Sequence, residues 1–328
     1  MILDGASPAS VAQAAATMAR GELVAFPTET VYGLGADAAS DAAVAKIFAA
    51  KGRPSDHPLI VHVPDASAVP TFAGDVPDFA TRLMQAFWPG PLTLILPRRA
   101  GVGTAAAGGQ SSIGLRCPAH PVAHAFLLAC QAAGVSGVAG PSANRFGRVS
   151  PTTAAHVQSE FGDALLVLDG GPCRVGIEST IIDCTRGQPV LLRPGMLSAV
   201  QVEQACGQAV LRPGELESAA PRASGTLESH YAPNARVRLM DAAALQTALD
   251  VLGEDASGIA TYSRVILRSR SARVLRRRMP DDPAETARQL FAVLREFDAQ
   301  GVKLIWVETP PDDAEWDGVR DRLRRAAA

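Results

Sequence analysis

The sequence predicts an α/β protein of two domains, the second smaller and Rossmann-like. Three observations lead there. Short apolar runs of strand length alternate with segments of helical periodicity along the whole chain. Polar and glycine-rich clusters follow the apolar runs, at the strand ends where open α/β sheets hold ligands. The 328 residues exceed what one average core fills, and periodicity lapses over 207–229, a stretch rich in Gly, Pro, Ser and Glu. The expected division is a chemistry-bearing domain over 1–206, a linker over 207–231 and a C-terminal domain over 232–328.

Ser7 and Pro8 open a helix that Gly21 stops. Residues 23–26 form a buried strand ended by Pro27, which has no N–H for the ladder, so Thr28, Glu29 and Thr30 leave as a polar turn. Gly33 and Gly35 are expected to be loose backbone before Ser40 caps a helix over 41–50, with Val44, Ile47 and Phe48 on one face. That helix ends in Lys51-Gly52-Arg53-Pro54. Its two cations either converge on one anion or only favour the helix macrodipole. His62, inside a strand over 59–63, is either a packed or a functional histidine.

A helix over 78–88 precedes a strand over 92–96 and a Gly/Ala-rich loop over 100–110. The loop contains the G-x-G-x-x-A spacing from Gly101, but no amphipathic helix opens at Thr104, and the acidic residue expected about twenty positions on is absent. A flexible loop is favoured over a dinucleotide site. A strand over 111–116 ends at Arg116, a helix covers 122–133, and a strand covers 135–139. From Gly140 to Pro151, Ser142, Asn144, Arg145, Arg148 and Ser150, with a helix expected just after, compose a candidate anion cradle. Strands over 165–168, 179–184 and 190–192 follow, the last two a hairpin, and Ser198 caps a helix to Cys206. The C-terminal pattern reads strand 237–240, helix 242–252, strand 259–262, helix 282–298, strand 302–307 and helix 314–325, with no phosphate motif.

The net charge of −2 and pI near 6.3 argue against an overall nucleic-acid-binding character. The cations of 264–278 and 320–325 are either a solvated basic face or a local RNA-binding surface. No targeting segment or membrane-spanning apolar run is recognised, so a soluble, cytoplasmic protein is expected. The five cysteines form no C-x-x-C pair and should be reduced and mostly buried. His120 and His124 lack the acid of an H-E-x-x-H site, and no metal ligand is assigned.

The segments PTETVYGLG, KGRPSDHPLIVH, WPGPLT, SSIGLR, PSAN, GIESTIID and LLRPG, in this order, resemble the L-threonylcarbamoyladenylate synthases. This is the YrdC-like family, here in its long form with an appended C-terminal domain. The resemblance implies a YrdC-like twisted open α/β domain and an enzyme that joins L-threonine, bicarbonate and ATP, with Mg²⁺, into threonylcarbamoyl-AMP. The product would pass to a partner complex that modifies tRNA adenosine next to the anticodon. By motif, Thr30, His62, Arg116 and Ser179 would face threonine, and Arg53, His57, Ser112, Ser142, Asn144, Ser150 and Arg193 would face ATP. Gly140 would lie between the two, and Lys51 and Arg53 would offset the repulsion between reacting anions. Two positions depart from the family: His57 stands where Asn is frequent, and residues 223–233 keep His230-Tyr231-Ala232-Pro233 but lack the basic residues that precede it in many relatives. His230 and Tyr231 are the candidate residues of a lid. The alternative is an RNA-binding module without catalysis.

Overall fold

The computed structural model describes residues 1–215, 220–227 and 229–328, so residues 216–219 and 228 of the expected linker lie outside the described residues. Two compact units result: Met1–Phe146 with Ser150–Thr226, and Gly147–Val149 with Leu227–Ala328. Among the described residues no helix is long and apolar enough to cross a membrane.

The first unit runs β1 (Ile2–Asp4), α1 (Pro8–Ala19), β2 (Val24–Phe26), β3 (Gly33–Asp37), α2 (Asp41–Lys51), β4 (Ile60–His62), α3 (Val69–Phe72), α4 (Asp78–Phe87) and β5 (Leu92–Pro97). It continues with β6 (Ser112–Arg116), α5 (Pro121–Ala132), β7 (Val138–Ala139), α6 (Ala154–Phe161), β8 (Leu166–Asp169), β9 (Thr180–Asp183), β10 (Val190–Arg193) and α7 (Ala199–Cys206). The strands form one mixed sheet in the order β1-β8-β2-β3-β7-β4-β6-β5-β9-β10. Side chains alternate between its faces. Val24, Phe26, Leu166 and Leu168 join α1 and α5 in one core, while Ala25 and Val167 point to the other, shared with α2 and α4.

Gly33 and Gly35 are not loose: they lie in β3, antiparallel to β2. A Cβ on Gly33 would stand 2.9 Å from the Phe26 ring, and one on Gly35 would stand 2.8 Å from Val138. These glycines permit close packing. The helix expected after Pro151 begins later, at Ala154, because the Thr153 side chain supplies the cap to the His156 N–H. The glycine-rich loop runs over 100–110 with no helix of its own.

The second unit contains β11 (Arg236–Met240), α8 (Ala242–Leu252), β12 (Ile259–Ser263), β13 (Leu275–Arg278), α9 (Pro283–Ala299), β14 (Leu304–Glu308) and α10 (Asp317–Ala327). All its strand pairs are parallel, in the order β11-β14-β12-β13. Periodicity did not announce β13, since its residues Leu-Arg-Arg-Arg carry cations on both faces of an edge strand. Part of the expected basic face is therefore sheet, with Arg277 paired to Glu296 and Arg278 to Asp281.

Candidate active site

Pro27 ends β2, and the next turn locks itself. Thr28 Oγ1 donates to the Val31 carbonyl at 2.6 Å and accepts from the Thr30 and Val31 amides. Backbone bonds from Val175 to Glu29 O and from Gly176 to Thr30 O hold it from the other side. Arg116 reaches this turn from the end of β6. Nη1 donates to Thr30 Oγ1 at 2.8 Å, Nη2 to Glu29 Oε1 at 2.6 Å, and Nε to Gly90 O at 3.3 Å. His62, aligned with Arg116 in the parallel β4–β6 pair, is buried with its ring edge-on to Phe26. Burial, then the nearby Arg116 charge, pushes its pKa down to about 3, so the imidazole is neutral at ordinary pH. Gly140 approaches both rings: a Cβ there would lie 2.9 Å from Phe26 and 3.0 Å from His62 Nδ1.

Ser179, just before β9, links this region to a second cluster. Its hydroxyl contacts Thr93 Oγ1 at 2.7 Å and accepts from Arg193 Nη2 at 3.2 Å, while its carbonyl accepts from Arg193 Nε and Nη2. Arg193 Nη1 donates to Ser224 O at 2.8 Å, and Ser224 Oγ is 3.5 Å from Arg53 Nη2. Arg53 also donates to Pro58 O and lies over the Phe146 ring, which His57 meets edge-on. Burial, then Arg53, lowers the His57 pKa. Ser112, Thr93, Pro58, Gln110 and residues Arg222 to Ser224 line a narrow cleft. Arg222 holds this strap through an ion pair with Asp56 and paired bonds with Gln110.

Lys51 is buried at the C-terminal end of α2, close enough to Arg53 for the two charges to repel. Nζ donates to Ser142 O at 2.6 Å and to Asn144 O. Burial first, then the Arg53 charge, drives its pKa well down. Phe146 N–H in turn binds Lys51 O, so helix end and loop are tied in both directions. Ser150 donates to Glu178 Oε1. The two arginines of the expected cradle are engaged elsewhere: Arg145 binds Ala50 O and lies over Phe161, and Arg148 binds Asn234.

His230 and Tyr231 are buried in the second unit, where Tyr231 stacks on Phe291 and carries Arg322 over its ring. His120 Nδ1 accepts from the Val122 amide as the cap of α5. The five cysteines are free and buried, and burial raises the Cys117 and Cys130 thiols to about 11 and about 12.

Sequence reasoning did not single out Glu29, Thr93, Glu178 or Ser224. Thr93 left one signal, a hydroxyl inside an otherwise aliphatic strand, and Glu29 another, an acid beside Thr30.

A family model described as telomere recombination, covering Sua5, YciO and YrdC proteins, matches residues 16–195. A second, the threonylcarbamoyl-AMP synthase C-terminal domain, matches 196–328. The chain belongs to the threonylcarbamoyl-AMP synthase family. It is similar to the synthase of Pyrococcus abyssi, with 37% identity over 96% of this chain and 93% of that protein. It is also similar to the synthase of Bacillus subtilis, with 37% identity over 97% and 92%. Among solved structures, Sua5 of P. abyssi complexed with L-threonine matches with a TM-score of 0.88 and 36% identity, covering 98% of this chain and 95% of that one. As a member of the threonylcarbamoyl-AMP synthase family, the chain is an enzyme, and these relatives give the non-catalytic RNA-binding alternative no support.

Proposed function

We propose that the first unit, as the catalytic domain, condenses L-threonine, bicarbonate and ATP into threonylcarbamoyl-AMP with release of pyrophosphate. The observation that carries the reading is Ser179. It lies within hydrogen-bond reach of Arg193 and Thr93, and so connects the residues proposed for nucleotide to the sheet that carries those proposed for threonine. On this reading Thr30, His62, Arg116, Gly140 and Ser179 receive threonine. Arg53, His57, Ser112, Ser142, Asn144, Ser150 and Arg193 receive ATP.

The amine gains a carboxyl group from bicarbonate with loss of water, and a carbamate oxygen then attacks the α-phosphorus as the bond to pyrophosphate breaks. Two anions must meet, so catalysis is mainly positioning and charge stabilisation. Arg53 and Arg193 offset the phosphate charge. Lys51 serves by donating to the Ser142 and Asn144 carbonyls, which fixes the loop that carries the proposed nucleotide residues. Among the described residues no three His, Cys, Asp or Glu side chains gather as a cation site. Mg²⁺ with a nucleotide is held largely by the phosphates and water, so the Mg²⁺ proposed here is taken to travel with ATP, and no residue is assigned to it.

The strap from Arg222 to Thr226 is proposed as the lid. Ser224 sits between Arg53 and Arg193, and a mixed anhydride needs shelter from water. His230 and Tyr231, proposed for the same lid, pack in the second unit, His230 edge-on to Tyr231 and Tyr231 on Phe291. The product is proposed to feed a tRNA-modifying partner complex in the cytoplasm.

The test is mass spectrometry of protein with ATP, Mg²⁺, bicarbonate and single amino acids. Threonylcarbamoyl adenylate is expected with threonine. Serine, lacking one methyl worth about 1–3 kcal/mol, should be the nearest competitor, and valine should fail because it leaves polar groups unpaired. Pyrophosphate release independent of any amino acid would overturn the reading.

A further inference from the structure

We infer that Glu29 is a positioning and specificity-determining residue: it orients Arg116 and makes the amino-acid site select a zwitterion over a simple carboxylate. The inference rests on the amino-acid site proposed above.

Glu29 and Arg116 are both more than nine-tenths buried and form a direct ion pair at 2.6 Å. Glu29 Oε2 also accepts the Ala119 amide at 3.1 Å, so the carboxylate is held at both oxygens and cannot swing away. Arg116 has five N–H donors, of which Thr30, Glu29 and Gly90 take three. One N–H is left on each terminal nitrogen, the two nitrogens through which a carboxylate is gripped end-on.

The remaining neighbours offer acceptors. Thr28 spends its hydrogen on Val31 O, so in the 2.8 Å contact with Thr30 the Thr30 hydroxyl is the donor. With Arg116 donating to it as well, Thr30 Oγ1 presents only a lone pair to a ligand. Glu29 likewise presents only lone pairs. His62 is neutral, and the buried Cys117 and Cys173 thiols, raised by desolvation, are uncharged. Glu29 and Arg116 therefore cancel, and a bare anion arriving at Arg116 would lie beside the Glu29 carboxylate. An α-amino acid brings its own ammonium to the acceptor side while its carboxylate takes the free N–H pair. Like charges forced together in a buried site cost far more than at a surface.

Calorimetric titration of the full chain with L-threonine and with 3-hydroxybutyrate, the same acid without its amine, tests this. The wild type should bind threonine at least about tenfold more tightly. Glu29→Gln keeps the size and a hydrogen-bond acceptor but removes the charge. It should shrink that ratio to about threefold or less, chiefly by admitting 3-hydroxybutyrate, and should raise the KM for threonine while leaving the KM for ATP unchanged. Glu29→Asp should keep the preference with weaker threonine binding. An unchanged ratio in Glu29→Gln would overturn the inference. So would equal binding of the two ligands by the wild type, which decides the matter even if the variant does not fold. A wild type that makes no threonylcarbamoyl adenylate and binds neither ligand would instead remove the proposed amino-acid site itself.

Discussion

Lys51 Nζ lies 2.6 Å from the main-chain oxygen of Ser142, joining the end of α2 to the loop after β7 across a separation of 91 residues. Replacing Lys51 with Met removes that donor from two carbonyls at once. Unfolding in urea should show a loss of about 1–3 kcal/mol, the cost of leaving buried acceptors unpaired, and the KM for ATP should rise as the loop loosens. Unchanged stability and KM would show that the loop holds itself.

Arg53 is the cation whose plane is used. It lies over Phe146, bonds Pro58 O and approaches Ser224. Arg53→Lys keeps the charge and loses the fork, so kcat/KM for ATP should fall about 10- to 100-fold. Threonine affinity should change little. Steady-state pyrophosphate release at varied ATP and at varied threonine separates the two.

Gly140 has no room for a side chain. In Gly140→Ala the new methyl would push on Phe26 and on His62 Nδ1. Overpacking of this kind costs about 1–3 kcal/mol. The KM for threonine should rise more than that for ATP, and a thermal melt should register the strain.

His62 gives the fold an acid limit. Its folded pKa, about 3, lies below the ordinary 6.5, so the unfolded chain binds the extra proton first as pH falls. Its contribution is complete above pH 6.5 and is lost progressively toward pH 3. Between pH 7.5 and 4.5 the wild type should lose about 2–3 kcal/mol that His62→Gln does not lose, read from the difference in pH slope of urea unfolding. Parallel slopes would mean that this imidazole is not buried neutral.

The helices and most strands were legible because their signals are local. Ser7-Pro8, Ser40, Ser198 and Asp282 each sit at a helix start as the backbone requires, and the apolar run before Pro27 could end only there. The residues proposed for the site were legible through the resemblance of short motifs such as KGRPSDHPLIVH and PSAN to a known family, and the Arg and Ser side chains they carry suit a chemistry that joins anions. Other features were decided by chain segments far apart. The order of the first sheet, which sets β7 between β3 and β4, follows from long-range pairing. The need for Gly33 and Gly35 arises from Phe26 and Val138, and the direction of Lys51 from carbonyls 91 and 93 residues away. β13 escaped because an exposed edge strand need not alternate in polarity. The sequence by itself determined which groups are present and where helices begin. Only the tertiary structure decided which charge meets which, as with Glu29 and Arg116, because burial makes an ion pair selective and burial comes from packing.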